Sequence, residues 1–187
     1  YTCNAVEKGD LFIDTGHNLK TLQPSNLDSL TLNGGSYNSV DQTVINEATL
    51  LRSENYIEGT GEVVISTLTW NAGSFKGSGT TRVTDTASLS PVSSTVDLFL
   101  NSGRQFINEG TLTWTQGDVY FQDLESRFIN HGDVTVTGTT ARFYRSLSSS
   151  DNTKVSAQNA VDGSMVRCVL VLSVFLFLSP YLILFLS

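Results

Sequence analysis

The chain has 187 residues, 40% of them hydrophobic and only 16% charged, with a formal net charge of −7. No Lys/Arg cluster interrupts that acidity, which argues against a nucleic-acid partner, because phosphate recognition needs clustered cations. The histidines are His17 and His131 and the cysteines Cys3 and Cys168, so no Cys/His metal spacing exists.

The length suits one domain. Abundant Gly, Ser, Thr and Asn against three prolines point to a β-rich chain of extracellular style. It opens on Tyr1 rather than Met and is expected to be a fragment of a longer protein.

In chain order, "DLFIDTGHNL" (10–19) and "SLTLNGGSY" (29–37) are two irregular rungs of a repeat. Later rungs start near Thr43, Glu62, Arg82, Gln105 and Arg127. "INEATL" (45–50) returns as "INEGTL" (107–112), and "STLTW" (66–70) as "GTLTW" (110–114). "FINEGTLTW" (106–114) returns 22 residues later as "FINHGDVTV" (128–136). Phe99, Phe121 and Phe143 form a second column at the same spacing. Each unit alternates apolar and polar residues, as in Val63, Ile65, Leu68 and Trp70, which is the period of a strand with one buried face. Asn-Glu-Gly, Asn-His-Gly and Asn-Gly-Gly clusters separate the strands.

Units this short cannot bury their own apolar face and must stack on their neighbours. The predicted fold is therefore all-β, a parallel β-helix of ~22 residues per rung over 1–146. Seven rungs at the strand–strand distance make a rod roughly 34 Å long. Phe106 is expected to stack on Phe128, and Phe99 on Phe121 on Phe143. Asn108 and Asn130 are expected to form an amide ladder at a corner, and Trp70 and Trp114 to share a core column.

The stretch "GRQFINEGTLTWTQGDVYFQDLESRFINHGDV" (103–134) resembles the repeats of filamentous-haemagglutinin-like and adhesin-like surface proteins, with their N-x-G-T-L-x-W-x-x-G pattern. The resemblance is clear over roughly 43–140 and weak before residue 40. It implies a right-handed coil of the pectin-lyase-like kind. The rung at 82–90 departs from the pattern, lacking both the Asn-x-Gly turn and the Trp.

From Cys168 to Ser187 no residue is charged. A helix of that length spans ~30 Å, the thickness of a bilayer core. A hydrophobic helix is therefore expected over 165–187, preceded by a flexible stalk at 147–164. The run ends without following Lys/Arg, while Lys154 and Arg167 precede it. That arrangement favours a GPI-anchor signal over a transmembrane anchor, with Ser156 or Asn159 as the candidate lipid-attachment residue. No Asn-x-Ser/Thr sequon occurs in 1–164.

β-Helix enzymes that act on polysaccharides resemble one another in gathering carboxylates on adjacent rungs. Asp118, Asp123, Glu125 and Asp133 are the candidates here, with Arg82 and Arg104 at a spacing of 22. At that spacing Asp118 falls opposite Val96, and no acidic pair forms. His131 replaces Glu47 and Glu109 of equivalent turns and has the character of a solvent-facing position. No nucleophile elbow, phosphate loop or dinucleotide fingerprint occurs. No catalytic residue, cofactor or metal is assigned, and an enzyme is not expected.

Thr69, Thr113 and Thr135 share a column, and Thr115 and Thr137 share its neighbour, as on the ice-binding faces of some β-solenoids. Asn71 breaks that second column, and the 82–90 rung offers Pro91 at the matching place, 22 residues before Thr113. The expected function is a cell-surface β-helix on the extracellular face of the plasma membrane, tethered by its tail, with an adhesive or structural role. Its ligand would be a protein or glycan held by loop polar groups and by Tyr120 and Tyr144. Polysaccharide binding or degradation is the alternative, and ice binding the third reading.

Overall fold

The computed structural model describes residues 1–93, 96–137, 141–145 and 157–159. The expected stalk and hydrophobic helix fall almost wholly outside them. Among the described residues there is no helix, and none long and apolar enough to cross a membrane.

The chain forms short strands: β1 (Thr2–Cys3), β2 (Asp10–Asp14), β3 (Asn18–Thr21), β4 (Ser25–Asn33), β5 (Ser36–Ser39) and β6 (Thr43–Leu50). These continue as β7 (Tyr56–Glu58), β8 (Glu62–Trp70), β9 (Gly73–Phe75), β10 (Thr80–Leu89), β11 (Leu98–Leu100) and β12 (Gln105–Asn108). The last are β13 (Thr111–Trp114), β14 (Asp118–Phe121), β15 (Arg127–Asn130), β16 (Asp133–Val136), β17 (Arg142–Arg145) and β18 (Ala157–Asn159). One sheet runs β1-β3-β5-β7-β9-β11-β14-β17, and the other β2-β4-β6-β8-β10-β12-β15-β18, with β13 and β16 extending it beside β10. All pairings between strands are parallel, between one coil and the next. The molecule is a parallel β-solenoid of about 7 turns.

The core is a set of inward columns between the two sheets. Leu32, Leu50, Trp70, Leu89, Trp114 and Val136 form one, and Leu30, Ala48, Leu68, Ala87, Leu112 and Val134 its neighbour. From the opposite sheet Tyr37, Ile57, Phe75, Leu100 and Phe121 face them. Trp70, Phe75 and Phe106 meet in one cluster, with ring centroids 4.6, 5.6 and 5.5 Å apart. Phe106 stacks on Phe128 at 5.6 Å and 9°.

The coils are not uniform. Asp10 lies opposite Ser29, Ser25 opposite Thr43, Thr43 opposite Val63, Thr80 opposite Gln105 and Phe106 opposite Phe128. A coil thus advances by as few as 18 residues, as at Ser25–Thr43, and by as many as 29, as at Phe128–Ala157. The expected ~22 residues per rung hold between β12 and β15 and between β13 and β16. Part of the difference arises at one corner. Two outward residues separate Leu27 from Leu30 and Ile45 from Ala48, whereas three separate Val83 from Ala87 and Asn108 from Leu112. Ile45 accordingly shares its column with Ile65, Val83 and Asn108, and "INEATL" does not lie over "INEGTL".

At the widened corner asparagine side chains add donors to the backbone carbonyls, Gly110 O accepting from Asp133 N–H as well. Asn108 Nδ2 donates to Asn130 Oδ1 at 2.7 Å and to Gly110 O and Asp133 O at 3.1 Å, while Asn130 Nδ2 donates to Gly132 O at 2.6 Å. Glycine is needed at the same corner because the coils touch there. A Cβ on Gly110 would sit 1.9 Å from Asp85 O, and one on Gly132 2.0 Å from Gly110 O.

A second buried polar group lies at the turn before β12. The Arg104 side chain is fully buried. Its guanidinium donates to Thr81 Oγ1 (2.9 and 3.0 Å), Thr80 O (3.1 Å) and Gly59 O (3.3 Å). Carbonyl and hydroxyl oxygens of earlier coils thus receive its hydrogens. Burial pushes its pKa down to about 10, so it remains charged at neutral pH.

Two substitutions test this packing by urea denaturation. Phe106→Ala is expected to cost about 3–5 kcal/mol through the cavity it leaves between Trp70, Phe75 and Phe128. Gly110→Ala is expected to cost about 2 kcal/mol or more, since the neighbouring coil must move away. A midpoint within error of the parent for Gly110→Ala would show that the corner is not in close contact.

Candidate functional site

The most developed chemistry lies on the outer face of the first sheet, in the coils of β11, β14 and β17. Strand alternation sends Phe99, Tyr120 and Tyr144 outward, and the register Phe99–Tyr120 and Tyr120–Tyr144 stacks them into a strip. Phe99 and Tyr120 are 5.6 Å apart between centroids, and Tyr120 and Tyr144 5.1 Å apart with planes 15° from parallel. All three are half-buried.

A charged column borders the strip. Leu98 pairs with Val119, which sets Asp97 opposite Asp118, and Asp118 pairs in turn with Arg142. Arg142 grips Asp118 with two bonds, Nε to Oδ1 at 3.1 Å and Nη2 to Oδ2 at 3.2 Å. Its guanidinium also lies 5.0 Å from the Tyr144 ring centroid. Burial, and then Asp118, raise the Asp97 carboxyl above its ordinary range. The Tyr120 hydroxyl is raised by burial first and by the two aspartates next, and so stays a hydrogen-bond donor at neutral pH.

On the other side of the strip Asn101 and Gln122 line a recess of ≈ 330 Å³ together with Lys76, Ser102 and Asp123. Lys76 Nζ sits 3.1 Å above the Tyr56 ring centroid. Asp123 is a turn anchor. Burial works against its charge, but the Ser126 hydroxyl and the N–H groups of Ser126, Glu125 and Gly103 outweigh it and lower its pKa.

Several sequence-predicted residues fall elsewhere than the 22-residue spacing placed them. Phe99, Phe121 and Phe143 do not form one column. Phe99 faces outward over Tyr120, Phe121 points inward opposite Leu100, and Phe143 lies opposite Val119. Phe143 still meets Phe121 at 5.7 Å, Phe128 at 5.1 Å and Trp114 at 4.8 Å, inside the core. Trp70 and Trp114 share a column with Leu89 between them. Asp97 was missed because its offset to Asp118 is one residue shorter than the repeat suggested. Arg82 and Arg104 do not stack. Arg82 lies opposite Ile107 and joins Glu62 at 3.0 Å and Glu109 across three coils, while Arg104 is the buried guanidinium. Glu125 and His131 are exposed on turns and Asp133 opens β16. Ser156 lies outside the described residues. Asn159 ends β18, which pairs with β15.

Among the described residues no group of three or more His, Cys, Asp or Glu side chains is arranged to hold a metal ion. Comparison with family models, with curated proteins and with solved structures finds no match to this chain.

The raised Asp97 carboxyl has a consequence for stability. The folded protein holds that proton more readily than the unfolded chain, so the ionised group opposes folding above the carboxylate range. Stability rises as pH falls through the folded value. Asp97→Asn is therefore expected to raise the thermal midpoint at pH 7, by a margin that shrinks as the solution is acidified. An unchanged midpoint at pH 7, read by calorimetry, would show that Asp97 bears no such cost.

Proposed function

We propose that the chain is a non-catalytic, surface-displayed β-solenoid that binds an extended glycan along the Phe99–Tyr120–Tyr144 strip. The single observation that carries this reading is the ladder itself: three aromatic rings, spaced by the coil repeat, held open to solvent on a rigid sheet. Stacked on one another, the rings turn outward their electropositive edges, which suit sugar oxygens, and rings repeated at a fixed interval suit a ligand made of repeated units. The Arg142 guanidinium, the Asp97 carboxyl and the amides of Asn101 and Gln122 stand on either side to reach sugar hydroxyls. Burial already fixes the rings, so little rotamer entropy is lost on binding.

The tether belongs to the same reading. The uncharged run from Cys168 to Ser187 supports a C-terminal membrane anchor, by GPI or by a span, and so a place on the extracellular face of the plasma membrane. Parallel coils with Asn-x-Gly corners support an adhesin-like, pectin-lyase-like relationship. Right-handed winding follows the general preference of parallel crossovers.

A second reading, cleavage of the bound glycan, rests on Asp97 and Asp118 facing each other from adjacent coils. The fork from Arg142 to Asp118 favours binding, since it occupies both oxygens of that carboxylate.

Tyr120→Ala opens the middle of the strip and is expected to lower glycan affinity by about tenfold or more on a polysaccharide array, with the fold intact by circular dichroism. Undiminished binding would remove the strip as the site. Shortened products from the array-selected glycan would replace the binding reading by the enzymatic one.

A further inference from the structure

The opposite sheet carries a second, chemically distinct face. Beyond the corner, strand alternation turns three columns outward. The central one is Thr31, Thr49, Thr69, Ser88, Thr113 and Thr135, unbroken through six successive coils. On one side lie Thr67, Thr86 and Thr111, ended by Glu47 and Asp133. On the other lie Asn71, Ser90, Thr115 and Thr137, aligned by backbone bonds to Leu50, Trp70, Leu89 and Trp114. Ser88 occupies the place in the central column that a 22-residue spacing gave to Pro91, so that column is not interrupted there. Hydroxyls of neighbouring coils touch at 3.4 Å between Thr86 and Thr67 and at 3.2 Å between Thr115 and Ser90.

The grid has two fixed spacings, about 4.8 Å between coils and about 6.7 Å between alternate residues of a strand. The central column runs about 24 Å at that coil spacing. Twelve positions in the coils of β8, β10, β13 and β16 carry one charge, Asp133, although the chain as a whole carries −7. Threonine suits any solvated strand face, so what sets this face apart is its near-absence of charge over four coils. Outward columns of the other sheet hold Lys20, Asn38 and Glu58, so neutrality is particular to this face.

We propose that this face binds ice. A grid of hydroxyl and methyl groups with two fixed repeats and a single charge in its twelve positions suits a partner that is itself neutral, hydrogen-bonding and periodic in two dimensions. Ordered water at an ice surface has all three properties. A macromolecular ligand with charged groups would find no counter-charge in the central column. Each contact is weak, and binding arises from many engaged at once on a rigid template. The function is independent of the aromatic strip, which lies on the other sheet.

The test is partition of the fluorescently labelled full chain between a slowly growing ice front and the remaining liquid, against a reference protein that ice rejects. The wild type is expected to enter the ice at least about tenfold more than the reference, as many simultaneous contacts allow. Thr113→Tyr, which lifts the surface off the middle of the grid, is expected to return it to the reference level with its β-sheet circular dichroism unchanged. Thr86→Tyr, at an exposed position of the flanking column, gives a second variant should Thr113→Tyr fail to fold. Tyr120→Ala is expected to keep ice partition while losing glycan binding, which separates the two readings. Rejection of the wild type from ice overturns the proposal, as does equal partition of wild type and both tyrosine variants. Rejection from ice combined with Thr113-dependent sedimentation on crystalline cellulose also overturns it, in favour of a polysaccharide lattice.

Discussion

The parallel backbone ladder between successive coils is the constraint on which the rest of this structure depends. Each strand bonds to the equivalent strand one coil away, so every residue is held over a register partner at the separation of neighbouring strands. Side chains in a column therefore touch whether or not they suit one another, and the columns must be composed accordingly. The inward ones are aliphatic or aromatic throughout most of the rod. Large residues are offset by small ones beside or above them, as Ala48 and Ala87 sit on either side of Leu68. Dense packing of this kind leaves no freedom to change one coil without its neighbours.

The same constraint explains the buried polar groups. Corners and turns interrupt the ladder, and carbonyl oxygens there need donors. Where the corner widens, Asn108 and Asn130 meet that need from within the column and bond to one another. Arg104 does so across several coils, reaching Gly59, Thr80 and Thr81 with one planar group. Its burial is tolerated because most of its donors are occupied, and only the reduced pKa records the desolvation. Gly110 and Gly132 stand where the coils approach too closely for any side chain.

A solenoid built this way turns single residues into extended surfaces. An aromatic side chain repeated over three coils is a strip, and a hydroxyl side chain repeated over six is the centre of a grid. The two candidate faces differ only in which outward column is considered. One offers rings, a guanidinium and carboxylates suited to a chain of sugars. The other offers a neutral lattice of hydroxyls. Neither needs a cleft, because the rigidity that a pocket obtains from its walls is supplied here by the sheet.

The sequence by itself determined the architecture: period-2 alternation, Asn/Gly corners, returning motifs and the absence of capped helical periods leave a parallel solenoid. It also determined the local ladders between the last coils, Phe106 over Phe128 and Asn108 over Asn130, because no insertion falls between them. Only the tertiary structure decided the register of the rest. Coils here differ in length at their turns and corner, and a loop residue adds to the sequence spacing without moving the strand's hydrogen bonds. A single inserted residue reverses which face a side chain occupies. That is why Phe99 joined Tyr120 and not Phe121, why Asp97 met Asp118, and why Ser88 and not Pro91 completed the threonine column. The backbone ladder, blind to sequence spacing, settled each of these placements.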